Sequence, residues 1–573
     1  MKKERRCFIS LLSVVLMVAV MIPSTAFAAI GGTGTETDPY TIGSLEELKE
    51  FRDSVNAGND YDGKYVVLTA NIVIDGEWTP IGEGTRSGSG YTGKAFKGIF
   101  DGQGHTISGL RVSQSDGADD AVGLFGVVDG GTVQDLELSG VGINVSGSEC
   151  AGGAIGLMVN NATADRITVS GSVVAARGNG GIVGRMTISG TISNCVNEAF
   201  VSGTGANVGG IVGAAYYTAI GKEMSISDCV NNGTVSGTAG AVGGIVGLSS
   251  ANVSNCVNNA DITGKGADVA GIVAEQQNYG SVIGCTNNGD ITNNSGAYGT
   301  GGIVGWVRYN GALESYPAKE IIEVIDNVNN GNIAGGNDGG GIIGTVYNTA
   351  VVEGNENNAE NISGTTFAGG IVGNIQYTET PVAGEGDDNT VPEHDVNIYN
   401  NVSKTEKSAI TAKCVGEYAY NNDGSSVEED VYDNAKQWAA SVNGDKYTVL
   451  ENALEQLKDG DTLTVFNVEA GQTEIKVPEG VKVENKTGAS IKVNGETIAD
   501  GGIYGEQEET PTEPSDENPQ QPSTEENQTT EGTQTGATAT GDDTNLTLMF
   551  VIMGLAAAAA AGTVVYGRRK RSS

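Results

Sequence analysis

Few residues of this chain are equipped for bond-making chemistry, and they are scattered. His105 and His394 are its only histidines, and neither belongs to a His-Glu-x-x-His pair, the arrangement by which a helix holds zinc for peptide hydrolysis. Asp119-Asp120 and Asp387-Asp388 are carboxylate pairs of the kind acid–base catalysis employs. Adjacent residues on a strand face opposite ways, however, and both pairs sit in turn-like sequence where Asp is ordinary. The cysteines show no Cys-x-x-Cys metal spacing. The Gly-rich stretches open strands and lack the Lys-Ser/Thr of a phosphate-binding loop. No catalytic residue, metal site or cofactor is expected. What remains is contact chemistry. Tyr216, Tyr217, Tyr279, Tyr309, Tyr347 and Tyr377, with Arg308 beside one of them, recur at one phase of a repeating pattern. Tyrosine and arginine dominate contact energy at protein and sugar surfaces, and the same tyrosines could equally cover a flank and bind nothing.

That pattern organises the chain. The pentapeptide Gly209-Gly210-Ile211-Val212-Gly213 returns, whole or nearly so, from Val122, Gly152, Gly180, Gly209, Gly243, Ala270, Gly301, Gly340 and Gly369. The spacings are 30, 28, 29, 34, 27, 31, 39 and 29 residues, the signature of a solenoid. Each repeat holds short β-branched runs (Ile211-Val212, Ile226 to Val230, Thr234-Val235) broken by Gly and Asn, which excludes helix. Three such strands per coil give a parallel β-helix, and the strong chirality of parallel crossovers makes it right-handed. Nine coils at ~4.8 Å each make a rod roughly 40 Å long.

The second strand carries two register positions. One holds Cys195, Cys229, Cys256 and Cys285, then Asn327, Asn355 and Asn401. The other, two residues on, holds Asn197, Asn231, Asn258, Asn287, Asn329 and Asn357. Identical residues one rung apart stack, so amides can bond along the axis, and Asn tolerates the left-handed backbone of a tight corner. Stacked cysteines point the same way, which favours buried free thiols over disulfides.

On these residues the chain resembles a known family. Gly123-Leu124-Phe125-Gly126 and the later Gly-Ile-Val-Gly copies, over roughly residues 90–405, are similar to the GLUG-motif repeats of bacterial surface proteins, which also occur beside IgA1-cleaving metallopeptidases. The resemblance implies an extracellular β-helix and no activity of its own. Gly102-Gln103-Gly104-His105 is similar to the Gly-His-Gly of polygalacturonases, but those enzymes also require clustered aspartates and an Arg-x-Lys on one face, and no such set is found.

The flanking segments have distinct compositions. Residues 1–28 read as a secretory signal peptide: Lys2, Lys3, Arg5 and Arg6, an apolar core from Phe8 to Ile22, and Ala26-Phe27-Ala28. Residues 29–121 read as a cap and entry rungs, with a capping box at Ser44-Leu45-Glu46-Glu47 opening a short helix that covers the end of the stack. Residues 122–405 are the repeats; insertions fall just after the pentapeptide, around Tyr216 to Glu223, Arg308 to Lys319 and Gln376 to Glu393, so they emerge from one face. An acidic connector (406–435) leads to a small β-rich module (436–505) with a second capping box expected at Thr448-Val449-Leu450-Glu451. This module resembles short β-helix-like units of Gram-positive cell-wall proteins and either extends or closes the rod.

Residues 506–540 contain no Lys, Arg, aromatic, Val, Ile or Leu and four of the eleven prolines, the composition of a disordered stalk. Leu546 to Tyr566 is an apolar stretch long enough to span a bilayer, followed by Arg568, Arg569, Lys570 and Arg571. Thr540-Gly541, the span and the basic tail within 541–573 together resemble a sortase sorting signal, although Ala537-Thr538-Ala539 stand where the usual Leu-Pro-x precedes Thr-Gly. The resemblance implies sortase cleavage between Thr540 and Gly541; a plain membrane anchor is the alternative. The net charge of −39 disfavours nucleic acid and anionic lipid surfaces as partners.

The expected molecule is an all-β surface protein: a right-handed parallel β-helix with short capping helices, a disordered stalk and one C-terminal transmembrane segment. It is not expected to be an enzyme. Its expected role is adhesion or ligand display toward an extended glycan or a host matrix protein. The alternatives are a passive spacer and a polysaccharide lyase or hydrolase.

Overall fold

A computed structural model describes residues 30–505 except 114–119, 148–149, 217–222, 278–279, 296–298, 309–321, 348, 377–394, 400, 404–414, 419–437 and 469–473. The described residues form a parallel β-solenoid with two short helices. Corresponding strands of successive coils pair in parallel, so that each coil of the repeat region is one rung of three sheets. A two- or three-residue strand opens each pentapeptide and belongs to a nine-stranded sheet. The strand that follows belongs to a ten-stranded sheet, and the remaining short strands to a much larger one.

In the fourth copy the strands are Val208–Gly209, Val212–Tyr216, Met224–Ser227, Val230–Asn231 and Val235–Gly237. The single strand expected from Ile226 to Val230 is therefore split. Asp228 causes the split by adopting a left-handed backbone, φ 55°, which turns the chain out of the strand direction. Asn194, Asn255, Asp326, Gly284 and Gly354 hold the equivalent left-handed corner. The corner thus lies one residue before the Cys/Asn column, and the stacked asparagines themselves are not left-handed. The sequence reading placed that conformational demand on the wrong column.

The stacked columns are otherwise as expected. Asn197 Nδ2 donates to Asn231 Oδ1 at 2.8 Å, and Asn231 to Asn258, Asn258 to Asn287 and Asn287 to Asn329, all at 2.8 Å. Asn329 continues to Asn357 at 3.0 Å, and Asn357 ends on Ser403 Oγ at 3.1 Å. In the other column Asn327 donates to Asn355 and Asn355 to Asn401, each at 2.9 Å. These amides are fully buried, and in such surroundings each is stable only because both its donor and acceptor sides are met. Cys195, Cys229, Cys256 and Cys285 are buried free thiols, as is Cys150; the first four donate to the carbonyl two residues back, at 3.1–3.5 Å.

Both ends of the coil are closed. At the N-terminal end α1, Leu45–Ala57, is capped by Ser44, whose Oγ accepts the Glu47 N–H at 3.3 Å while Glu47 reaches back to Gly43 N–H at 2.7 Å. Leu48, Phe51 and Val55 enter the core, and the Phe51 ring lies 5.0 Å from Tyr61 and 5.6 Å from Phe96. The entry rungs begin at the first strand: Tyr40–Ile42 already pairs in parallel with Tyr65–Leu68, and that strand with Ile99–Asp101.

At the C-terminal end parallel stacking stops. Val402 pairs antiparallel with Tyr447, and Trp438 adds its buried ring to the rod's core. The module 438–505 therefore closes the rod, with a separate small core of its own. The capping box expected at Thr448 is absent: α2, Leu450–Gln456, has Val449 at its N-cap position with no side-chain cap bond. Thr448 Oγ1 instead accepts the Asn401 N–H at 3.2 Å, which terminates an asparagine column. No helix among the described residues is long and apolar enough to cross a membrane. The signal peptide, Cys414, the stalk, the 546–566 span and the Thr540-Gly541 bond lie outside the described residues.

Candidate functional site

The outer face of the ten-stranded sheet is where contact chemistry collects. In each five-residue strand the first and fourth side chains enter the core and the third and fifth face out, the alternation being shifted at the second residue. In the seventh copy, Val304–Arg308, Val304 and Val307 enter the core while Trp306 and Arg308 face out. Parallel register stacks these outward positions into two lanes. One runs Leu157, Arg185, Ala214, Leu248, Glu275, Trp306, Thr345, Asn374. In the other, Thr187 pairs with Tyr216, and Gln277, Arg308, Tyr347 and Gln376 are successive partners.

At copies six to eight the lanes form one connected group. The Arg308 guanidinium carbon lies 4.9 Å from the centre of the Trp306 ring, a cation–π contact. Arg308 Nη1 reaches Glu275 Oε1 at 3.5 Å, and Gln277 Nε2 donates to the same oxygen at 2.5 Å. The Tyr347 ring meets Trp306 edge-on with centroids 6.2 Å apart. Arg308 keeps 38 % of its side-chain surface exposed and Glu275 14 %; Trp306, Tyr347 and Gln277 are half-buried. The group is held in a fixed arrangement yet still faces solvent.

Two buried carboxyl groups flank it on the adjoining nine-stranded sheet. Asp268 is 1 % exposed and takes the Gly299 N–H at 3.4 Å; burial, with Glu275 nearby, pushes its pKa well above the ordinary carboxyl value. Asp338 is also raised by burial, against the hydrogen bonds it accepts from Asn374 Nδ2 at 3.1 Å and Thr345 Oγ1 at 2.8 Å.

The structure therefore places Tyr216, Tyr347 and Arg308 on one face, as the repeat phase predicted, and brings Arg308 and Tyr347 onto neighbouring rungs. Tyr217, Tyr279, Tyr309 and Tyr377 lie outside the described residues. The insertions leave the ten-stranded sheet at the ends of its fourth, seventh and ninth strands. The sequence reading missed Trp306, Glu275, Gln277, Asp268 and Asp338. Trp306, one of three tryptophans and the residue directly after a pentapeptide, was the available signal.

Near the N-terminal end a cleft of about 550 Å³ is lined by Glu77, Trp78, Glu83, Thr85 and Asp120, among others. Asp120 is engaged there by Thr85 Oγ1 at 2.8 Å. His105 Nδ1 lies 3.2 Å from Asn71 Oδ1, away from that cleft's lining. Among the described residues no group of three His, Cys, Asp or Glu side chains is placed to hold a metal ion.

Comparison with known proteins assigns the chain to no family. No family model matches the chain, so the resemblance to GLUG-motif repeats rests on its motifs alone. A segment of 164 residues, 28 % of this chain, is 33 % identical to Halomucin from Haloquadratum walsbyi; it spans 2 % of that protein's length. A solved Bacteroides ovatus structure described as a putative immunoglobulin A1 protease covers 51 % of this chain and 84 % of its own, with 22 % identity and a TM-score of 0.32.

Proposed function

We propose that this protein is a cell-surface adhesin or ligand-display rod whose contact face is the outer surface of the ten-stranded sheet. The observation that carries the reading is the connected Glu275–Arg308–Trp306–Tyr347 group, which stands partly exposed on three successive rungs. A passive spacer gains nothing from ordering an arginine over a tryptophan at its surface. Aromatic and arginine side chains fixed in this way are the usual carriers of binding energy. The lanes run along the axis from Tyr216 in copy four to Gln376 in copy nine, about 24 Å at the spacing of parallel strands. An extended partner, a glycan chain or a fibrous matrix protein, matches that shape better than a small molecule.

The leader and the C-terminal segment place this face outside the cell in the same reading. The apolar span 546–566 and its basic tail hold the chain at the membrane until sortase transfers Thr540 to the wall, and the stalk 506–540 carries the rod outward. Wall fragments released enzymatically should yield a peptide ending at Thr540. Recovery of Tyr566–Ser573 from membranes instead would establish a plain anchor.

The binding reading is tested on an array of glycans and matrix proteins with the parent and a Trp306→Ala/Tyr347→Ala variant. Retention of one partner class by the parent, lost in the variant at unchanged melting temperature, supports it. Equal behaviour of the two proteins on every spot leaves the spacer.

A further inference from the structure

The outer face of the ten-stranded sheet already holds one extended segment of this chain. A hairpin pairing Gly84–Ser87 with Gly90–Gly93 lies over its first rungs. Tyr91 Oη donates to Asp129 at the end of the first strand at 2.9 Å, and the hairpin tip accepts from Thr187 at the end of the third, with Ser89 O and Thr187 Oγ1 2.7 Å apart. The hairpin therefore runs along the rod axis, across rungs, in the same lanes that hold Trp306 and Tyr347 farther on. Beneath it the lane residues are Val127, Leu157 and Val159, which with Ala95, Ala121 and Cys150 form a dry cluster. From copy six onward the same positions hold Glu275, Gln277, Trp306, Arg308, Tyr347 and Gln376, all partly exposed, with Thr345 and Asn374 buried between them against Asp338.

We infer, resting on the binding reading above, that copies six to nine take a neutral, hydroxyl-rich polysaccharide laid along the rod axis, and reject acidic chains. Three observations select this occupant. First, the lanes lie on the face of a fully paired sheet, not at its edge, so they offer no backbone N–H or C=O row with which a peptide strand could pair. Second, the apolar lining that receives a polypeptide hairpin stops before copy six, and amide and aromatic side chains replace it. Aromatic faces take the apolar faces of sugar rings, and Gln277 and Gln376 on flanking rungs present donors and acceptors to hydroxyls. Third, the charges do not suit a polyanion. Among the described residues of copies six to nine in these lanes Arg308 is the one cation, and it is held by Glu275 and covered by Trp306. Arg185 lies three rungs from Glu275, about 14 Å at the spacing of parallel strands. The whole chain carries −39.

The test uses the full-length protein, immobilised, with a soluble neutral β-glucan and an acidic polyuronate as probes, at physiological and at high salt. The neutral chain should be retained at both salts, and Trp306→Ala should weaken retention by at least about tenfold. Phe200→Ala, which removes an exposed ring from a different sheet, should leave retention unchanged. Glu275→Gln removes the partner that neutralises Arg308, so it should raise retention of the polyuronate, and high salt should reverse that gain. Melting temperatures close to the parent's keep the comparison on binding.

Stronger retention of the polyuronate by the parent would overturn the neutral-chain inference while leaving the binding face in place. So would retention of a matrix protein through Trp306 with neither polysaccharide bound. An unchanged polyuronate response in Glu275→Gln would overturn the role given to the Glu275–Arg308 pair. Loss of all retention by the parent, on polysaccharides and proteins alike, would remove the binding reading itself.

Discussion

Two stretches of one sheet share a backbone and an interior and differ in the side chains they turn outward. Copies one to three and copies six to nine of the ten-stranded sheet share strand length, register and interior: Phe125, Ile155 and Val183 occupy the inward position that Val273, Val304 and Ile343 occupy later. Outward, the first stretch shows Val127, Leu157 and Val159 at or near zero exposure beneath the 84–93 hairpin. The second shows a tryptophan, an arginine and a tyrosine, all half-exposed. The solenoid's stability comes from the inward residues and the stacked amides, so the outward residues are released to specify what lies on them. Apolar side chains there attach a piece of the chain itself. Aromatic, amide and charged side chains there leave Trp306, Arg308 and Tyr347 partly exposed, while Thr345 and Asn374 stay buried against Asp338.

The sharpest way to break the comparison is to make the covered stretch resemble the open one. Leu157→Asp would bury a charge under the hairpin, and a loss of about 3–5 kcal/mol is expected from the denaturant midpoint. Trp306→Ala, at the same lane position five rungs on, should cost far less stability; a comparable cost would show that the open stretch is structural after all.

The shared interior gives the next effect. Asn258→Ala removes the link between Asn231 and Asn287 and leaves two buried amides each short of a partner, for an expected loss of about 2–4 kcal/mol. A loss below about 1 kcal/mol would mean that water replaces the missing amide.

A smaller effect concerns acidity at the margin of the open stretch. Burial raises the Asp268 pKa, Glu275 and Asp338 add to that, and Gly299 N–H and Arg308 oppose it. The folded state therefore holds its proton more tightly than the unfolded chain. This contribution to stability is fully present below the unfolded carboxyl value and is lost as pH rises through the folded one. Asp268→Asn should flatten the decline in melting temperature with rising pH; parallel profiles for the two proteins would contradict the assignment.

The smallest expected change sharpens the boundary between the stretches. Thr187→Val removes the hydrogen bond to the hairpin tip and should cost about 1 kcal/mol while increasing hydrogen exchange in residues 87–90. Unchanged exchange would show the hairpin to be held by its apolar underside alone.

The amino-acid sequence by itself determined the solenoid. A pentapeptide recurring near thirty residues, β-branched runs broken by glycine, and Cys and Asn returning at fixed offsets leave one economical arrangement, because stacking equal coils pairs strand with strand and sets the amides of the two columns on like neighbours. It also determined that inserted segments and tyrosines share a phase, and so placed Tyr216, Arg308 and Tyr347 on one face. It could not determine which residue carries the left-handed corner, since Asp228 and Asn231 are equally suited to one by type and differ only in where the coil turns. Nor could it show that Thr448 closes an asparagine column instead of capping a helix. The contact group itself was a tertiary decision. Glu275, Trp306 and Thr345 are 31 and 39 residues apart in sequence and become neighbours because parallel pairing superposes them. The hairpin at 84–93 reaches Thr187 across 98 residues, a contact that no local pattern encodes and that only the surface complementarity of the folded rod creates.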